Sequence, residues 1–297
     1  MRSRSEGWWA VAEARIGVIG GTGLYQMEGL KDVEEVFPDT PFGKPSDAIV
    51  TGTLGGVGVA FLPRHGRGHR FFPSEIPARA NIYALKALGV ERVISVSAVG
   101  SLREEIRPLD MVIPDQLIDR TMGRVSTFFG DGIAAHVGLA EPFCPVLREA
   151  LYGGASRGGA TAHPQGTYVV IEGPQFSTRA ESRLYRSWGA DVIGMTALPE
   201  AKLAREAEMC YATLACSTDY DCWHESETPV TVEMIVENLN RNTALSKAIL
   251  GDVIPRISGN RDCPCGSALG NAIITARDQM PPDTRRRLAL LIDKYIA

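Results

Sequence analysis

The stretch Met209-Cys-Tyr-Ala-Thr-Leu-Ala-Cys-Ser-Thr-Asp-Tyr-Asp-Cys-Trp223 decides the fold class, because a continuous apolar run passes directly into two carboxylates. Such a run is typical of a strand buried in the sheet of an α/β protein. Open α/β sheets bind their ligands at the carboxyl ends of their strands. Asp219 and Asp221 share one side of an extended backbone, so we expect one carboxyl to have a raised pKa and to donate a proton at neutral pH. A solvated turn is the competing interpretation.

Strand-like and helix-like segments alternate on the amino-terminal side of this stretch, and helical patterns follow it. The apolar patterns predict strands over 15–21, 48–63 (a hairpin turning at Gly55-Gly56), 92–97, 110–114, 167–171 and 191–196. Helical spacing predicts helices over 78–88, 142–151, 181–188, 198–205, 230–254 and 284–296. The pattern Thr178-x-x-Glu181 predicts a capping box. This alternation predicts one α/β domain over 15–297, with an extension over 1–14 and a C-terminal helical segment over 230–297.

The composition narrows the class of ligand. Hydrophobic residues make up 44% and charged residues 22% of the 297 residues, which is typical of a globular protein with a proper core. The net charge of −4 and the absence of a long basic run argue against nucleic acid as a partner. No apolar stretch approaches the roughly 20 residues that span a bilayer, and the N-terminal apolar stretch is too short for a secretory signal. We therefore expect a cytoplasmic protein that binds a small molecule.

The cysteines say less about the class of protein than the composition does. Six cysteines are too few for a disulfide scaffold in a chain of this length. The pair Cys263-Pro-Cys265 is compatible with a tight disulfide, half of a metal site or a chance pair. Because no second Cys/His cluster is near it in the sequence, we predict no metal.

A phosphate-sized anion fits the polar residues that follow the predicted strands. The turn Gly20-Gly-Thr-Gly23 can direct backbone N–H groups and the Thr22 hydroxyl at an oxyanion, and its spacing does not match a dinucleotide fingerprint. Arg64 offers a guanidinium fork beside the imidazole of His65, and its charge disfavours a metal on the neighbouring histidines. An ordinary glycine turn remains the alternative for the first motif.

Two further hydroxyls, those of Ser97 and Thr196, also follow predicted strands, although ordinary turn chemistry would explain each alone. Together with Thr22, Arg64 and His65 they follow separate strands of one sheet, so we expect the five residues to meet around a single phosphate. The sequence lacks both a G-x-S-x-G elbow and Walker A spacing, which disfavours hydrolases and nucleoside triphosphatases. Phosphate is therefore predicted to be a reactant.

An ordered series of motifs over roughly 15–255 resembles the 5′-methylthioadenosine phosphorylase family, in the trimeric class of the purine nucleoside phosphorylase superfamily. The motifs include G-V-I-G-G-T-G-L, R-H-G-R-G-H, G-S-L-R-E-E-I-R-P, I-E-G-P-Q-F-S-T-R-A-E-S, W-G-A-D-V-I-G-M-T and T-D-Y-D-C-W. The resemblance implies a mixed central β-sheet flanked by helices. It also implies phosphorolysis, in which inorganic phosphate, as co-substrate and without a cofactor, attacks the anomeric carbon of a nucleoside while the purine leaves.

The resemblance also implies residue roles. Phosphate would be held by Thr22, Arg64, His65, Ser97, the Ala98 backbone and Thr196. On the nucleoside side, Met195 would lie against the ribose, Phe176 would face the purine, Ser177 would bind substrate and Val232 would line an apolar pocket for the methylthio group. His136 matches a residue lent by a neighbouring subunit, which implies a homotrimer, or a dimer of trimers, with a shared active site.

Asp219, assisted by Asp221, would reach N7 and the exocyclic amine of the leaving purine. An ionised carboxylate accepts from a 6-amino group and repels a 6-oxo group, so the predicted base is adenine. A 5′-methylthioinosine, inosine or guanosine phosphorylase and a non-catalytic phosphate- or nucleotide-binding module are the alternatives.

Ser97 stands where a threonine is common in the family, and the tail beyond Ile257 departs from the family's pattern, which leaves activity on adenosine open. Some relatives carry a C-x-C disulfide, whereas a cytoplasmic setting favours the reduced form.

Overall fold

A computed structural model describes residues 14–21, 23–24, 26–224, 232–257 and 259–296, with the side chains of 232–236 excluded. Eleven strands in these ranges form one sheet. In chain order they are β1 (Ile16–Gly20), β2 (Leu30–Val36), β3 (Ile49–Leu54), β4 (Val57–Pro63), β5 (Arg92–Ser101), β6 (Met111–Val112), β7 (Gln116–Arg120), β8 (Ala162–His163), β9 (Thr167–Ile171), β10 (Val192–Gly194) and β11 (Cys210–Tyr220).

The sheet is built around β5. Its main order is β2-β3-β4-β1-β5-β10-β9-β7, and β11 also pairs with β5 and with β6, which in turn pairs with β8. The long strand β5 has three neighbours because β1 pairs with its first half, β10 pairs with its end and β11 pairs along its other side. β1, β4, β5 and β11 are parallel to their neighbours in this set, whereas β10 runs antiparallel to β5. The predicted mixed α/β sheet is confirmed.

Helices cover both faces of the sheet. They are α1 (Ala78–Ala87), α2 (Pro145–Arg157), α3 (Arg179–Ser187), α4 (Ala197–Glu206), α5 (Val232–Arg256) and α6 (Pro282–Ile296). Apolar residues of α1, α4 and α6 belong to one buried cluster, and those of α2 and α5 belong to a second. No helix in the described ranges has both the length and the hydropathy that a membrane span requires.

Local sequence signals account for several of these elements. Gly55 and Gly56 have φ values of 57° and 82°, which suits the tight turn of the β3–β4 hairpin. At the start of α3, the Thr178 side chain accepts from the Glu181 N–H while Glu181 caps the Thr178 N–H, so the predicted capping box is present. The carboxyl ends of the parallel strands lie at one edge of the sheet, and the predicted site residues follow these strand ends.

Candidate active site

The carboxyl edge of the sheet brings together residues that are far apart in the sequence. Gly20 at the end of β1 pairs with Pro63 at the end of β4, so the first glycine turn lies beside Arg64. On the other side of β5, Asp219 of β11 pairs with Gly100. Thr22 lies outside the described residues. The other predicted residues of the phosphate side and both aspartates can be placed on this edge or in the loops that follow it.

Two predicted phosphate residues meet directly. The hydroxyl oxygens of Ser97 and Thr196 lie 2.9 Å apart. The antiparallel register explains this contact, because Val192 pairs with Ser101 and Ile193 with Gly100, so the chain leaving β10 runs back along β5 towards Ser97. Ala98 is exposed beside the buried Ser97. Two hydroxyls and an open stretch of backbone therefore share one end of the site.

Arg64 lies differently from the expectation of an open guanidinium fork. The side chain is buried, and its Nε donates to Glu200 Oε1 at 2.5 Å while Nη2 donates to Ser95 Oγ at 2.6 Å. Nη1 donates to the Val96 carbonyl at 3.0 Å. Burial opposes the charged form of Arg64, but Glu200 outweighs it and raises the pKa above its ordinary value. The positive charge is thus held permanently at this edge, with most of its donors used inside the protein.

Glu200 is a residue that sequence reasoning missed. It lies in the first turn of α4, is 2% exposed, and also accepts from the Tyr211 hydroxyl at 2.9 Å. A buried carboxylate is stable only when it is paired and hydrogen-bonded, and Arg64 and Tyr211 supply both requirements. Its only sequence signal was a lone acid in an otherwise apolar helix start.

His65 is neutral at physiological pH, so Arg64 is the one cation of this adjacent pair. Burial and then the charge of Arg64 lower the pKa of His65 to about 4. Its Nδ1 lies 2.9 Å from the Phe71 carbonyl oxygen, so Nδ1 carries the proton and Nε2 has a free lone pair. The ring stacks on His69 with centroids 4.1 Å apart. A neutral His65 can accept a hydrogen bond from a protonated phosphate oxygen.

The carboxylate side of the site is shaped by a β-bulge. The register of β11 against β5 shifts between Ser217 and Asp219, so that one additional residue, Thr218, is accommodated opposite Val99 and Gly100. Bulges are common beside active sites because they redirect a side chain. A Cβ built on Gly100 would lie 3.5 Å from Asp221 Cβ and 3.6 Å from Asp219 Oδ2. Both acidic side chains therefore converge over Gly100, as the alternation of the strand predicted.

The two carboxyl groups have raised pKa values. Burial is the main cause for Asp219, the charge of Asp221 adds to it, and the hydrogen bond from Thr218 Oγ1 at 2.6 Å opposes it, which together give a pKa of about 6. Burial also raises the pKa of Asp221. The expected direction is present, but desolvation contributes more than the like-charge repulsion that the sequence suggested. Asp219 can therefore exchange a proton near neutral pH.

Two asparagines of α5 hold the bulge in place. Asn238 Nδ2 donates to the Thr218 carbonyl at 2.8 Å, and Asn242 Nδ2 donates to the Ser217 carbonyl at 2.9 Å. The two residues are four positions apart and so lie on one face of the helix. They satisfy backbone groups at the point where the ladder is irregular. The spacing of these asparagines was the available sequence signal, and it was missed.

The predicted purine side lies in the loop between β9 and α3. Phe176 is 74% exposed, which leaves its ring free to contact a ligand. The Ser177 hydroxyl is buried and has no hydrogen-bond partner among the described residues, while the Ser177 carbonyl accepts from the Cys222 thiol at 3.2 Å. This contact brings the loop beside Asp221. An unpaired buried hydroxyl next to the carboxyl pair is a group that a polar ligand would satisfy.

Arg124 joins this loop to the segment that carries Met195 and Thr196, and sequence reasoning gave it no role. Its Nη1 donates to the carbonyls of Met195 and Leu198 at 2.6 and 2.7 Å. Its Nη2 donates to the carbonyls of Ile171 and Glu172 at 3.2 and 2.5 Å. The Met195 side chain packs closely over Gly173 in the same loop. One buried guanidinium therefore fixes two site loops against each other.

Two predicted site residues remain, Val232 and His136. Val232 begins α5, and its side chain lies outside the described residues. His136 is exposed on a segment that pairs with the C-terminal region, where its N–H donates to the Ala272 carbonyl at 2.8 Å. The described residues thus collect the hydroxyl pair, Arg64, His65 and the two aspartates, whereas the backbone contact of His136 is with the C-terminal segment.

Comparisons with known proteins agree with this geometry. The family model of the phosphorylase superfamily matches residues 15–255. The S-methyl-5′-thioadenosine phosphorylase of Geobacter sulfurreducens is 58% identical over 285 residues, which cover 96% of this chain and 100% of that protein.

Solved structures give the same result. The crystal structure of a methylthioadenosine phosphorylase from an antarctic soil metagenomic library has a TM-score of 0.91 and 52% identity, and the match covers 95% of this chain and 100% of that one. A mutant of the adenosine/methylthioadenosine phosphorylase of Schistosoma mansoni, in complex with adenine, has a TM-score of 0.79 and 34% identity over 94% of this chain and 98% of that chain.

Proposed function

We propose that this chain, which belongs to the phosphorylase superfamily, catalyses the phosphorolysis of 5′-methylthioadenosine to adenine and 5-methylthioribose 1-phosphate. A phosphate oxygen forms the new bond to the anomeric carbon, the glycosidic C–N bond breaks, and its electron pair leaves with the purine. The enzyme is then a pentosyltransferase. Relatives named for this activity that match almost the whole chain support the proposal.

The observation that carries the proposal is the spacing of two groups along β5. Ser97 and its partner Thr196 lie at one point of the strand, and the carboxyl pair converges over Gly100, three residues later. At about 3.3 Å per residue these points are about 10 Å apart, a separation that one nucleoside can span. An anion site and a proton donor so placed suit a reaction in which phosphate and purine approach opposite sides of one sugar.

On the phosphate side, we propose that the anion is bound by Thr22, Arg64, His65, Ser97, the Ala98 backbone and Thr196. Arg64 contributes mainly its fixed charge, because Glu200 and Ser95 use most of its donors. The hydroxyl pair donates to phosphate oxygens, and His65 Nε2 accepts from a protonated one. Charge-assisted hydrogen bonds of this kind are the strong ones.

On the purine side, Asp219 transfers or shares its proton with N7 as negative charge develops there, and Asp221 assists. A pKa of about 6 keeps the proton available close to neutral pH. Because a carboxyl oxygen accepts from the 6-amino group, the site favours adenine over a 6-oxopurine. Phe176 and Ser177 bind the base, Met195 contacts the ribose, and Val232 lines the 5′ pocket.

We further propose a cytoplasmic homotrimer or dimer of trimers in which His136 completes the site of a neighbouring subunit. The exposure of His136 supports that role, because an exposed side chain can reach a neighbouring subunit. Adenosine is proposed as a second substrate, since a structural relative with 34% identity is named for both nucleosides. The reaction needs no cofactor beyond phosphate as co-substrate.

The direct test is to incubate the full chain with 5′-methylthioadenosine in the presence and in the absence of phosphate. We expect adenine and 5-methylthioribose 1-phosphate in equal amounts, and only with phosphate. Adenine release that is independent of phosphate would make the protein a hydrolase. Tight phosphate binding without turnover of any purine nucleoside would make it a binding module, and faster turnover of inosine, guanosine or 5′-methylthioinosine would overturn the assignment of the base.

A further inference from the structure

Four cysteines that are scattered along the sequence meet at one point, far from the proposed active site. The Sγ atoms of Cys144, Cys210, Cys263 and Cys265 all lie within 4.8 Å of one another. Those of Cys210 and Cys263 are 3.3 Å apart. Three of the four residues are at most 2% exposed, and Cys263 is partly exposed. The fold thus supplies the second pair of thiols that the sequence around Cys263-Pro-Cys265 lacks.

We propose that these four cysteines bind a thiophilic divalent metal ion, with Zn²⁺ as the best fit, in a tetrahedral structural site. A Zn–S distance of about 2.3 Å places the sulfurs of a regular tetrahedron about 3.8 Å apart. The Sγ atoms of Cys210 and Cys263 are 3.3 Å apart and all four sulfurs lie within 4.8 Å of one another, and these two distances bracket that value. Four thiolates in this geometry are typical of zinc or iron–sulfur ligation. The expectation of no metal is therefore replaced by this proposal.

The surroundings suit the charge of such a site. Binding one M²⁺ by four Cys–SH groups releases four protons and leaves a centre of charge −2. Arg205 Nη1 lies 3.9 Å from Cys265 Sγ. A cavity of about 410 Å³ opens beside the cluster, and its lining includes Cys144, Cys210, Cys263 and four arginines: Arg92, Arg157, Arg256 and Arg261. Positive side chains on several sides offset the negative charge of a thiolate centre.

Helix α2 adds to this effect. Cys144 is the N-cap residue of α2, so its sulfur lies at the positive end of the helix dipole. Thiols at helix N-termini ionise more readily than free cysteine. The residue most favourably placed to become a thiolate is therefore already part of the cluster.

The site is structural, because four protein ligands leave no open position for a substrate. Cys210 begins β11 and Asp219 lies nine residues later near its end, which separates the two sites by about 30 Å. The metal would connect the start of β11, the start of α2 and the segment around 263–265 that leads to α6. Its effect is on the anchoring of the C-terminal segment and not on the chemistry at Asp219.

The test is the metal content of the full chain purified under reducing conditions. We expect about one equivalent of zinc per chain by elemental mass spectrometry. After replacement of the metal by Co²⁺, we expect thiolate-to-cobalt charge-transfer absorption and the visible bands of a tetrahedral centre. Reduced protein that holds less than about 0.1 equivalent and shows no such spectrum on Co²⁺ titration would overturn the proposal. So would an intact mass four hydrogens lighter than that of the thiol form, because it would show two disulfides in place of the metal.

Cysteine substitutions test which residues bind the metal. Cys263→Ser removes the partly exposed ligand with little disturbance of the core, and we expect it to lower Co²⁺ affinity at least about 100-fold. Cys222→Ser changes a cysteine outside the cluster and serves as the matched control, with unchanged metal content. Equal metal content in both variants would overturn the assignment. Phosphorolysis measured on the same samples keeps a failure of this site distinguishable from a failure of the proposed reaction.

Discussion

Arg64 and Glu200 form an ion pair in which Nε and Oε1 are 2.5 Å apart, and each side chain is only 3% exposed. The pair joins the loop after β4 to the start of α4 across 136 residues of sequence. The pair holds the permanent charge of Arg64 at the edge of the sheet, and most of the guanidinium donors are occupied inside the protein.

Replacing Glu200 by Ala is therefore expected to destabilise the protein by about 3–5 kcal/mol, because the charge of Arg64 would remain buried without an opposite charge beside it. Denaturant unfolding measures this change in the free energy of unfolding. Lys202→Ala on the same helix is the control, since Lys202 pairs with Asp119 where both side chains are about one-third exposed, and such pairs contribute about 0–1 kcal/mol. Similar losses in both variants would contradict the role given to the buried pair.

Ser97→Ala removes one hydroxyl of the pair with Thr196 and is expected to raise the KM for phosphate about tenfold or more. A hydrogen bond to a charged group is worth about 1.5–3 kcal/mol, and here its partner is the substrate anion. Initial rates at varied phosphate and saturating nucleoside measure the effect. Ser156→Ala, on an exposed position of α2, is the control. A change in nucleoside KM alone would place Ser97 on the other side of the site.

Asp219→Asn is expected to lower kcat/KM for 5′-methylthioadenosine by about 10²–10⁴-fold, the range for loss of a general acid. The amide also donates to a 6-oxo group, so the ratio of 6-oxo to 6-amino turnover should rise. Parallel assays on adenosine and inosine measure the ratio, with the exposed Asp278→Asn as control. An unchanged ratio would refute the account of base selectivity.

The stability of the free protein is expected to depend on pH through the same group. Because the pKa of Asp219 is raised from 3.8 to about 6, its ionisation in the folded protein costs about 3 kcal/mol at pH 8. This cost is absent below about pH 4, grows between about pH 4 and pH 6, and stays near its full value above pH 6. The Asp219→Asn variant should therefore be more stable than the wild type at pH 8, and the difference should shrink towards pH 4. Denaturant unfolding at pH 4, 6 and 8 measures it, and a difference independent of pH would contradict the raised pKa.

Asn238→Leu removes the donor to the Thr218 carbonyl and is expected to lower kcat/KM about five- to tenfold. The lost hydrogen bond is worth about 1 kcal/mol, and it fixes the bulge from which Asp219 projects. Asn240→Leu changes an exposed asparagine of the same helix and should stay within about 0.5 kcal/mol in stability, with unchanged activity. Equal activity in the two variants would show that the bulge needs no clamp.

Elements with a strong local signal could be predicted from the sequence. The hairpin turning at Gly55 and Gly56 and the capping box of Thr178 and Glu181 each depend on residues a few positions apart. By contrast, β2 has no counterpart among the predicted strands, because it is an exposed strand rich in charge, with the sequence LKDVEEV. The predicted helix over 142–151 stops six residues before the end of α2 at Arg157, because Gly153-Gly154 suggests a turn. In the structure Gly154 permits close packing, since a Cβ there would lie 2.2 Å from Val253 of α5.

In the candidate site, too, only residues with a local sequence signal could be predicted. The residues at strand ends, such as Ser97, Thr196 and Asp219, could be proposed from the strands that precede them. The residues that position them, such as Glu200 and Asn238, could not, because their function depends on a partner twenty or more residues away or on a register shift. The four clustered thiols belong to this second class as well, since only the fold brings Cys144 to Cys265.

The position of Arg124 couples the binding of phosphate to the binding of the nucleoside. Its guanidinium bonds the carbonyls of Ile171 and Glu172 in one loop and of Met195 and Leu198 in the other, so neither loop can settle independently. A phosphate that immobilises the second loop lowers the entropic cost of nucleoside binding at the first. Occupancy of the two subsites is thereby linked thermodynamically, and each substrate should tighten the binding of the other by the same factor.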